Sequence, residues 1–415
     1  MKIGAVLSVC LLSFALAACS TSKDAASKAP QWKVIPGNPL YYINSVATSA
    51  DGSKVVGGTF YHAYSGTENR ADAATKATPA VTGGGSTGTF GTYCYNQSGQ
   101  LLWKDEFNGY EGVYWVDVST DGAYAASGGW FSGSPNYAGF VRAYDANTGT
   151  SLLNYSTGSR VNQVALSANG MWLVSAAESV VLFKLVNGAY IKTGEYIPTT
   201  ANDTIVTVAM SADGGSIVCA DYAGNIIYFQ NKGGLPVVFK QWALPSDSSH
   251  CVRMTPDGSA FAAGGSQGYF YLFDVASFMA SGQPTVTYQI PSKGSVYGVA
   301  LADDASGFVG ISNQTPGSTT GGLVYYVARS GTLNWTYTTA RNPNCASLNL
   351  AKGLLAVADG HPDGSPGDFY LLNTADGSLR WQYTTSNMSW PIMISKNGNA
   401  VVAGSDDSNI YYFTP

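Results

Sequence analysis

Charged side chains are scarce in this sequence: only 11% of its 415 residues are Asp, Glu, Lys or Arg, and the formal net charge is −5. Proteins that bind nucleic acid ordinarily carry a basic patch, and this composition provides none. Histidine is scarcer still, with only His62, His250 and His361, which lie far apart along the chain. A metal site built from several histidines is therefore not expected.

Long hydrophobic runs are also lacking after residue 18, so no later stretch could span a membrane as a helix. The N-terminus differs, because Met1 and Lys2 precede a short apolar run that ends in "LAAC" at Cys19. This ending resembles the lipobox of bacterial lipoproteins, in which the cysteine is lipidated and becomes the mature N-terminus. The resemblance predicts a signal peptide over residues 1–18, lipidation of Cys19 and a flexible tether over 19–30. An ordinary secretory signal, cut nearby, is the alternative.

Ser20 follows the cysteine where inner-membrane lipoproteins carry an aspartate, so the resemblance favours the outer membrane. We therefore expect a lipid-anchored protein of the bacterial cell envelope, with its periplasmic or surface orientation open. The remaining cysteines are Cys94, Cys219, Cys251 and Cys345. Their spacings match neither a metal knuckle nor a dense disulfide framework, which favours isolated buried thiols without deciding their pairing.

An internal repeat organises the rest of the chain. "VATSADGSKVVGG" (46–58) recurs in related form at 116–129, 164–177, 208–221, 252–265, 299–312 and 392–405, with a degenerate copy at 348–360. Each copy reads as two short strands joined by a Ser-x-Asp-Gly turn. Segments such as "DFYLLNTADGSLRWQYTT" add a third strand, a glycine turn and a fourth strand. Four strands in each repeating unit predict an all-β fold of the β-propeller type.

The eighth repeat lacks its fourth strand, because the chain ends just after "SNIYYFTP". "QWKVIPG" near the N-terminus matches the fourth strands "LLWKDEF" and "LRWQYTT". We therefore predict an eight-bladed propeller over residues 31–415, with residues 31–36 closing the last blade. Such closure leaves no unpaired strand at the seam.

The half-repeats resemble those of quinoprotein-type propellers, which carry pyrroloquinoline quinone repeats, and the Ser-x-Asp-Gly hairpins resemble those of WD-repeat-like bacterial propellers. The first resemblance implies an alternative function, a periplasmic oxidoreductase that uses pyrroloquinoline quinone with calcium. Those dehydrogenases often carry an adjacent cysteine pair above the cofactor, and this sequence has none. No calcium ligand or catalytic aspartate can be matched either. We therefore predict neither a cofactor nor a metal.

Three motifs suggest chemistry only superficially. "GGGSTG" (83–88) and "GGSQG" (264–268) fit glycine-rich phosphate or nucleophile patterns, but neither lies between a strand and a helix, as those sites require. "DGHPDGSPGD" (359–368) holds several acidic residues at a spacing that is too wide for a calcium loop. Glycine-rich loops and a solvated turn are the preferred interpretations. A propeller hydrolase or lyase with an unrecognised site stays open as a third function.

Alignment of the hairpins on their turns predicts a ring of side chains at one mouth of the central channel. This ring consists of Asn44, Tyr114, Asn162, Val206, His250, Tyr297, Ala346 and Trp390. Aromatic and amide side chains there suit a ligand, or else plug the channel and hold strand ends. Three residues after the ring position, Asp117 and Arg253 interrupt a column that is mainly alanine, so these charges must be paired or face channel water.

Long loops cluster on the same side of the predicted propeller. They span 61–88, 130–139, 313–322 and 361–368, in blades 1, 2, 6 and 7, whereas blades 3, 4 and 5 have tight connections. These loops contain aromatic residues, among them Tyr61, Tyr64, Trp130, Phe131 and Tyr137. Repeat proteins often carry binding loops on one face. The sequence thus predicts a non-catalytic, lipid-anchored scaffold that binds an envelope protein or another extended ligand at this face.

Overall fold

The computed structural model describes residues 27–61, 88–109, 111–131, 138–199, 204–245, 249–313 and 320–415. The predicted signal peptide (1–18), Cys19 and most of the predicted tether (19–30) lie outside these residues. The described chain folds into 32 β-strands, one α-helix and one short 3-10 helix. Neither helix in this part of the chain has the length and hydrophobicity of a membrane span.

The strands of the first four repeats follow the predicted order. Repeat 1 contains β2 (Tyr42–Thr48), β3 (Lys54–Phe60), β4 (Gly88–Asn96) and β5 (Leu101–Gly109), and repeat 2 contains β6 (Glu111–Val118), β7 (Tyr124–Phe131), β8 (Ala138–Asp145) and β9 (Ser151–Thr157). Repeat 3 contains β10 (Gln163–Leu166), β11 (Trp172–Ala176), β12 (Val180–Val186) and β13 (Ala189–Tyr196). Repeat 4 contains β14 (Ile205–Met210), β15 (Ser216–Asp221), β16 (Asn225–Lys232) and β17 (Leu235–Ala243).

The last four repeats have the same plan. Repeat 5 contains β18 (Ser249–Met254), β19 (Ala260–Gly265), β20 (Tyr269–Asp274) and β21 (Val286–Gln289), and repeat 6 contains β22 (Val296–Leu301), β23 (Gly307–Asn313), β24 (Thr320–Ala328) and β25 (Leu333–Arg341). Repeat 7 contains β26 (Pro343–Asn349), β27 (Leu354–Asp359), β28 (Asp368–Asn373) and β29 (Leu379–Thr384). Repeat 8 contains β30 (Ser389–Ile394), β31 (Val401–Ser405) and β32 (Ile410–Phe413), and β1 is Trp32–Val34.

Each repeat forms an antiparallel sheet with its strands in chain order, and a single Phe60–Gly112 pair joins the sheets of repeats 1 and 2. The first strand of every repeat contacts the first strand of the next, and β30 contacts β2. Hydrophobic clusters fill the space between neighbouring sheets, as where Val141 of repeat 2 packs with Val164 and Phe183 of repeat 3. The core is thus divided among the interfaces of consecutive repeats.

The N-terminal strand lies where the sequence predicted it. β1 pairs antiparallel with β32, with Trp32 opposite Tyr412 and Val34 opposite Ile410. The rings of Trp32 and Tyr412 stack with centroids 5.2 Å apart, and Trp32 Nε1 donates to Gln97 O of repeat 1 at 2.9 Å. The prediction that residues 31–36 supply a strand beside the last one is confirmed, with Trp32–Val34 as its paired part.

Strand direction divides the connections between two sides of the molecule. Connections from the second to the third strand, and from one repeat to the next, lie where the first strands begin; we call this side the loop face. The hairpins between first and second strands, and the turns between third and fourth strands, lie at the opposite side, the turn face. Antiparallel pairing of consecutive strands requires this separation.

The turn face repeats one set of hydrogen bonds. In repeat 2, Ser119 Oγ donates to Asp121 Oδ1 at 2.6 Å, while Ala123 N donates to the same carboxylate oxygen and Tyr124 N donates to Ser119 Oγ. The same pattern occurs at Ser49–Asp51, Ser167–Asn169, Ser211–Asp213, Thr255–Asp257 and Ser395–Asn397. These bonds are local, which explains why the hairpins could be identified from sequence.

Backbone hydrogen bonds also connect neighbouring hairpins on the turn face. They run from Asn397 N to Ala50 O, Ala50 N to Thr120 O, Asp121 N to Ala168 O, Ala168 N to Ala212 O, and Ala212 N to Pro256 O. Proline has no N–H, so Pro256 cannot continue the series into repeat 6. The turn face of repeats 8 and 1 to 5 is therefore held together by its own backbone.

Tryptophans of fourth strands also dock on the following repeat. Trp103 Nε1 donates to Ala146 O at 2.8 Å, and Trp335 Nε1 donates to Thr374 O at 2.8 Å. The ring of Trp103 lies where a Cβ on Gly149 would be, so this turn requires glycine. Trp381 makes no such bond, and its buried Nε1 has no hydrogen-bond partner among the described residues.

Two short helices were not predicted from the sequence. Helix α1 (Val275–Ser281) connects the third and fourth strands of repeat 5; Asp274 caps its start by accepting from Ser277 N, and Gly282 ends it at φ 73°. A 3-10 helix (Leu350–Lys352) lengthens the first hairpin of repeat 7. The four described cysteines form no disulfide; Cys94, Cys219 and Cys251 are buried, and Cys345 is half-buried.

Candidate binding site on the loop face

A β-bulge near the start of the first strand recurs in seven repeats, where the register with the second strand shifts by one residue. The residues at the bulges are Asn44, Tyr114, Val206, His250, Tyr297 and Asn344, with Trp390 and Pro391 together in repeat 8. In repeat 3, Asn162 directly precedes β10. Bulges redirect side chains, so one backbone irregularity creates a ring of variable positions on the loop face.

One member of the predicted ring is corrected by the structure. Asn344, not Ala346, occupies the bulge of repeat 7. The 3-10 helix makes the hairpin of this repeat longer, so counting back from its turn misplaced the position by two residues. Ala346 pairs with Val357, as Val46 pairs with Gly57 in repeat 1.

The amide residues of the ring join neighbouring repeats. Asn44 Nδ2 donates to Tyr114 O at 2.7 Å, and Asn162 Nδ2 donates to Ile205 O at 2.9 Å. Asn344 Nδ2 donates to Ser389 O at 2.9 Å. Both Asn44 and Asn162 are buried. Their amide nitrogens therefore hold strand ends together, which was the structural alternative to ligand binding.

Aromatic side chains of repeats 1 and 2 form two groups of ring contacts on the loop face, which adjoin where Tyr61 follows Phe60 along the chain. Phe60 contacts Tyr114 and Trp130, with ring centroids 5.5 and 5.1 Å apart, and Tyr114 lies 4.8 Å from Trp130. Tyr61 stacks on Tyr42 at 6.3 Å. We call the set the aromatic cluster: Tyr41, Tyr42, Phe60, Tyr61, Phe90, Tyr114 and Trp130.

The cluster brings together three predicted aromatic or ring residues, Tyr61, Tyr114 and Trp130, and Asn44 bonds to its backbone. Trp130 is only 3% exposed, so it supports the cluster from beneath. Tyr42, Tyr61 and Tyr114 are half-buried and leave part of their rings at the surface. Half-exposed tyrosines combine apolar area with a hydroxyl group, which suits protein contacts.

Glu111 and Arg160 belong to the same site, but sequence reasoning missed them. Trp130 Nε1 donates to Glu111 Oε2, and the Arg160 guanidinium lies over the Trp130 ring, 4.9 Å from its centroid. Glu111 is 7% exposed. Burial raises the pKa of its carboxyl group to about 7, against the opposing effect of the Arg160 charge.

The backbone at Glu111 is unusual. Glu111 has φ 72° and Gly112 has φ 114°, so two successive residues lie in the left-handed region. A glutamate pays a steric cost there that glycine does not. This geometry lets Gly112 pair with Phe60, and Tyr61 N donates to Glu111 O at 2.8 Å. The glycine at position 112 could have indicated a bend from the sequence, but no neighbouring residue predicts a positive φ at Glu111.

The other predicted site residues lie elsewhere on the ring. Tyr297 and Trp390 occupy the bulges of repeats 6 and 8 and are half-buried. His250 occupies the bulge of repeat 5. Deeper in the first strands, Asp117 Oδ2 accepts from Leu166 N at 2.7 Å, and Arg253 Nη1 donates to Val252 O at 2.9 Å.

The acidic motif at 359–368 does not converge on one point. Asp359 is buried, and its carboxylate accepts from Arg341 N, Asp368 N and Tyr370 Oη. Burial raises its pKa to about 6. Asp363 caps its own exposed turn by accepting from Ser365 N. In the ranges that the structure describes, no group of three or more His, Cys, Asp or Glu residues could hold a metal ion.

Much of the predicted long-loop sequence lies outside the described residues, namely 62–87, 132–137 and 314–319, with Tyr64 and Tyr137 among them. The described part of the loop face therefore consists of strand ends, bulges and the loop of repeat 7.

No protein-family model matches the chain. Several solved structures are similar. Sqt1 of Chaetomium thermophilum has a TM-score of 0.67 at 12% identity, over 94% of this chain and 98% of that one. The same protein, bound to the N-terminus of the ribosomal protein L10, has a TM-score of 0.65 at 13% identity, over 91% and 97%. Sqt1 of Saccharomyces cerevisiae has 0.67 at 8%, over 94% and 100%.

These comparisons correct the predicted location. The similar structures come from eukaryotes, and one holds a segment of a ribosomal protein, which points away from a bacterial cell envelope. The prediction of an envelope protein at the outer membrane is therefore wrong. Lipidation of Cys19 stays a prediction, because that residue lies outside the described chain.

At identities this low the similarity establishes the fold and not the activity. The structures it matches are WD40-type propellers, and the described sheets are built on the same four-stranded plan. The chain therefore has the fold of a β-propeller.

Proposed function

We propose that residues 31–415 form a single eight-bladed propeller, without a cofactor or catalysis, that binds an extended segment of another protein on its loop face. The aromatic cluster beside the buried Glu111 carboxylate is the observation that carries this proposal. It joins exposed ring area to a fixed polar group, as specific protein contacts require.

The number of strands and their pairing support the count of eight blades. The described chain has 32 strands, and β1 completes the sheet of repeat 8. The first strands contact one another in a cycle that returns from β30 to β2. The eight-stranded sheet then corresponds to two blades that share the Phe60–Gly112 pair.

The length of the strands supports a site at repeats 1 and 2. β4 and β5 have nine residues each, and β6, β7 and β8 have eight each. In repeat 3, β10 has four and β11 has five. Repeats 1 and 2, like repeat 6 with nine residues each in β24 and β25, therefore have longer strands than repeat 3, and an extended segment can lie against them.

The solved complex supports the kind of ligand. Sqt1 in that structure binds the N-terminus of a ribosomal protein, which is a peptide segment. A propeller of this kind can thus recognise protein by a short stretch of chain. We extend that mode of binding to this protein, without extending the identity of the partner.

The test is selection of peptides from a random display library, followed by fluorescence anisotropy of the selected peptides. The variant Tyr61→Ala/Tyr114→Ala removes two half-buried rings of the aromatic cluster. We expect it to weaken binding by about 2–4 kcal/mol, or roughly 30- to 1,000-fold, while the melting temperature changes little.

The matched control is Tyr222→Ala. Tyr222 is 43% exposed and connects β15 to β16, on the loop face of repeat 4. It should bind the selected peptides as the wild type does. If Tyr222→Ala loses binding and the cluster variant keeps it, the site lies on repeats 3 to 5 and the proposal fails.

A further inference from the structure

Two opposite charges lie at equivalent positions of two first strands. Asp117 and Arg253 each follow the bulge residue of their repeat by three positions, in β6 and β18. The equivalent residues of the other repeats are Ala47, Ala165, Ala209, Ala300, Ser347 and Met393. Four alanines and a serine leave room at this level, so the two charges project from a wall of short side chains.

Asp117 and Arg253 belong to the same ring of first strands, which encloses the central channel. Repeats 3 and 4 separate them on one side of the ring, and four repeats separate them on the other. Nevertheless the positive charge of Arg253 lowers the pKa of Asp117, against burial, which is the larger effect and raises it to about 6. The first strands contact one another in a closed cycle, and both side chains belong to these strands, so both border the space that the ring encloses.

Neither charge is neutralised by direct contact. Among the described residues, no ion pair within 4.0 Å includes Asp117 or Arg253. Asp117 accepts only backbone N–H groups, from Val118 at 2.9 Å and Leu166 at 2.7 Å. In the same part of the chain, Arg253 makes one hydrogen bond, from Nη1 to its neighbour's carbonyl.

The backbone contacts fix the carboxylate, and the guanidinium keeps most of its five donors for other partners. Both side chains are half-buried, although protein atoms closely surround Asp117. A pair of opposite charges, held apart at one level of the ring of first strands, is complementary to a molecule that carries one charge of each sign. An ammonium group fits the carboxylate, and a carboxylate group fits the planar fork of the guanidinium.

We propose that the channel of this propeller binds a small zwitterion of the amino acid class, with its ammonium group at Asp117 and its carboxylate at Arg253. This site is separate from the aromatic cluster, because its residues belong to the interior of the ring.

The test compares the affinities of a series of molecules whose two charges are separated by increasing distances. Glycine, β-alanine, 4-aminobutyrate, 5-aminovalerate and 6-aminohexanoate place the same two charges at increasing separation. Isothermal titration calorimetry of the wild type should show an optimum at one chain length. Propylamine and propionate, which carry one charge each, should bind at least tenfold more weakly than the optimal member.

Three variants assign the two ends. Asp117→Asn keeps an oxygen for the Leu166 N–H but removes the charge, and Arg253→Met keeps the length of the side chain. Each should weaken the optimal member at least tenfold. Arg253→Lys retains a positive charge and should keep most of the affinity. Folding is checked by thermal melting and by binding of the loop-face peptides, which these changes should leave intact.

Two results would overturn the proposal. One is a wild-type protein that binds no member of the series at millimolar concentration. The other is an optimal member that binds Asp117→Asn and Arg253→Met as tightly as wild type. Calorimetry of the wild-type protein shows by itself whether a zwitterion binds, so the proposal can be tested even if a variant is unstable.

Discussion

The carboxyl groups of the turn face and the loop face differ in how they are satisfied. On the turn face, a hydrogen bond from Ser49 lowers the pKa of Asp51, one from Ser211 lowers that of Asp213, and one from Ser259 N lowers that of Asp257. On the loop face, burial raises the pKa of Glu111 to about 7 and that of Asp359 to about 6.

The direction of the pKa change distinguishes carboxyl groups that stabilise hairpins from carboxyl groups that lie in a candidate binding site. Turn-face carboxylates are exposed, ionised, and fully used within their own hairpins. On the loop face, Glu111 and Asp359 are buried at a cost, and the carboxyl group of Glu111 lies beside aromatic rings in a strained backbone. Perturbed acids in such surroundings are typical of sites that bind something. The following predictions test this contrast, beginning with the largest effect.

Deletion of residues 31–36 would open the ring where the last repeat meets the first. It removes the β1–β32 pairing, the Trp32–Tyr412 stack and the bond from Trp32 to Gln97 O. Removal of a packed tryptophan alone costs about 3–5 kcal/mol, and an exposed β32 edge invites aggregation. We expect a loss of at least that size in the free energy of unfolding, measured by urea denaturation.

The control for this deletion removes residues 20–25, which precede β1, and should unfold like the parent chain. Equal stability of the two deletions would show that β1 does not close the ring.

Glu111→Gln tests the loop-face carboxyl group. The pKa of Glu111 is about 7 in the folded protein and 4.5 in a model peptide. A raised pKa means that its contribution to stability is complete below pH 4.5 and is lost as pH rises through 7. Glutamine can still accept from Trp130 Nε1, so the variant should gain on the wild type by about 3 kcal/mol between pH 4.5 and 8.

Asp213→Asn provides the contrasting case on the turn face. Its pKa is lowered in the folded state, so its contribution is present above its ordinary value of 3.8 and is lost as pH falls. Urea denaturation across pH 3 to 8 compares the two variants. A stability difference for Glu111→Gln that does not change with pH would show that this carboxyl group is not buried.

Two matched tryptophans sharpen the comparison within the turn face. Trp103 Nε1 has a carbonyl partner on the next repeat, whereas Trp381 Nε1 has none in the described chain. Both side chains are buried. Because phenylalanine removes similar volume at both sites, Trp103→Phe should cost about 1 kcal/mol more than Trp381→Phe by thermal melting. Equal losses would mean that the hydrogen bond contributes nothing to the docking.

Sequence alone determined the repeat, its hairpins and the pairing of the N-terminal strand. Ser119, Asp121 and Tyr124 form their hydrogen bonds within six residues of chain, so a short window carries the whole signal. The position of residues 31–36 followed from counting, because only a fourth strand was missing.

The binding site depended on the tertiary structure. Asn344 could not be placed by counting, since the helix Leu350–Lys352 changes the length of one hairpin without changing its pattern. Helix α1 had a capping aspartate and a terminal glycine in the sequence, but the four-strand repeat gave no place for it.

Glu111 and Trp130 lie on the paired strands β6 and β7 of repeat 2, whereas Arg160 reaches the Trp130 ring from the connection between repeats 2 and 3. The burial that raises the pKa of Glu111 exists only in the packed repeats. The effect of the Arg253 charge on the pKa of Asp117 likewise depends on the folded ring. Local hydrogen bonds are encoded by neighbouring residues and can be read from the chain. Burial and electrostatic interaction depend on distances between segments far apart in sequence, and only the packing of the repeats sets those distances.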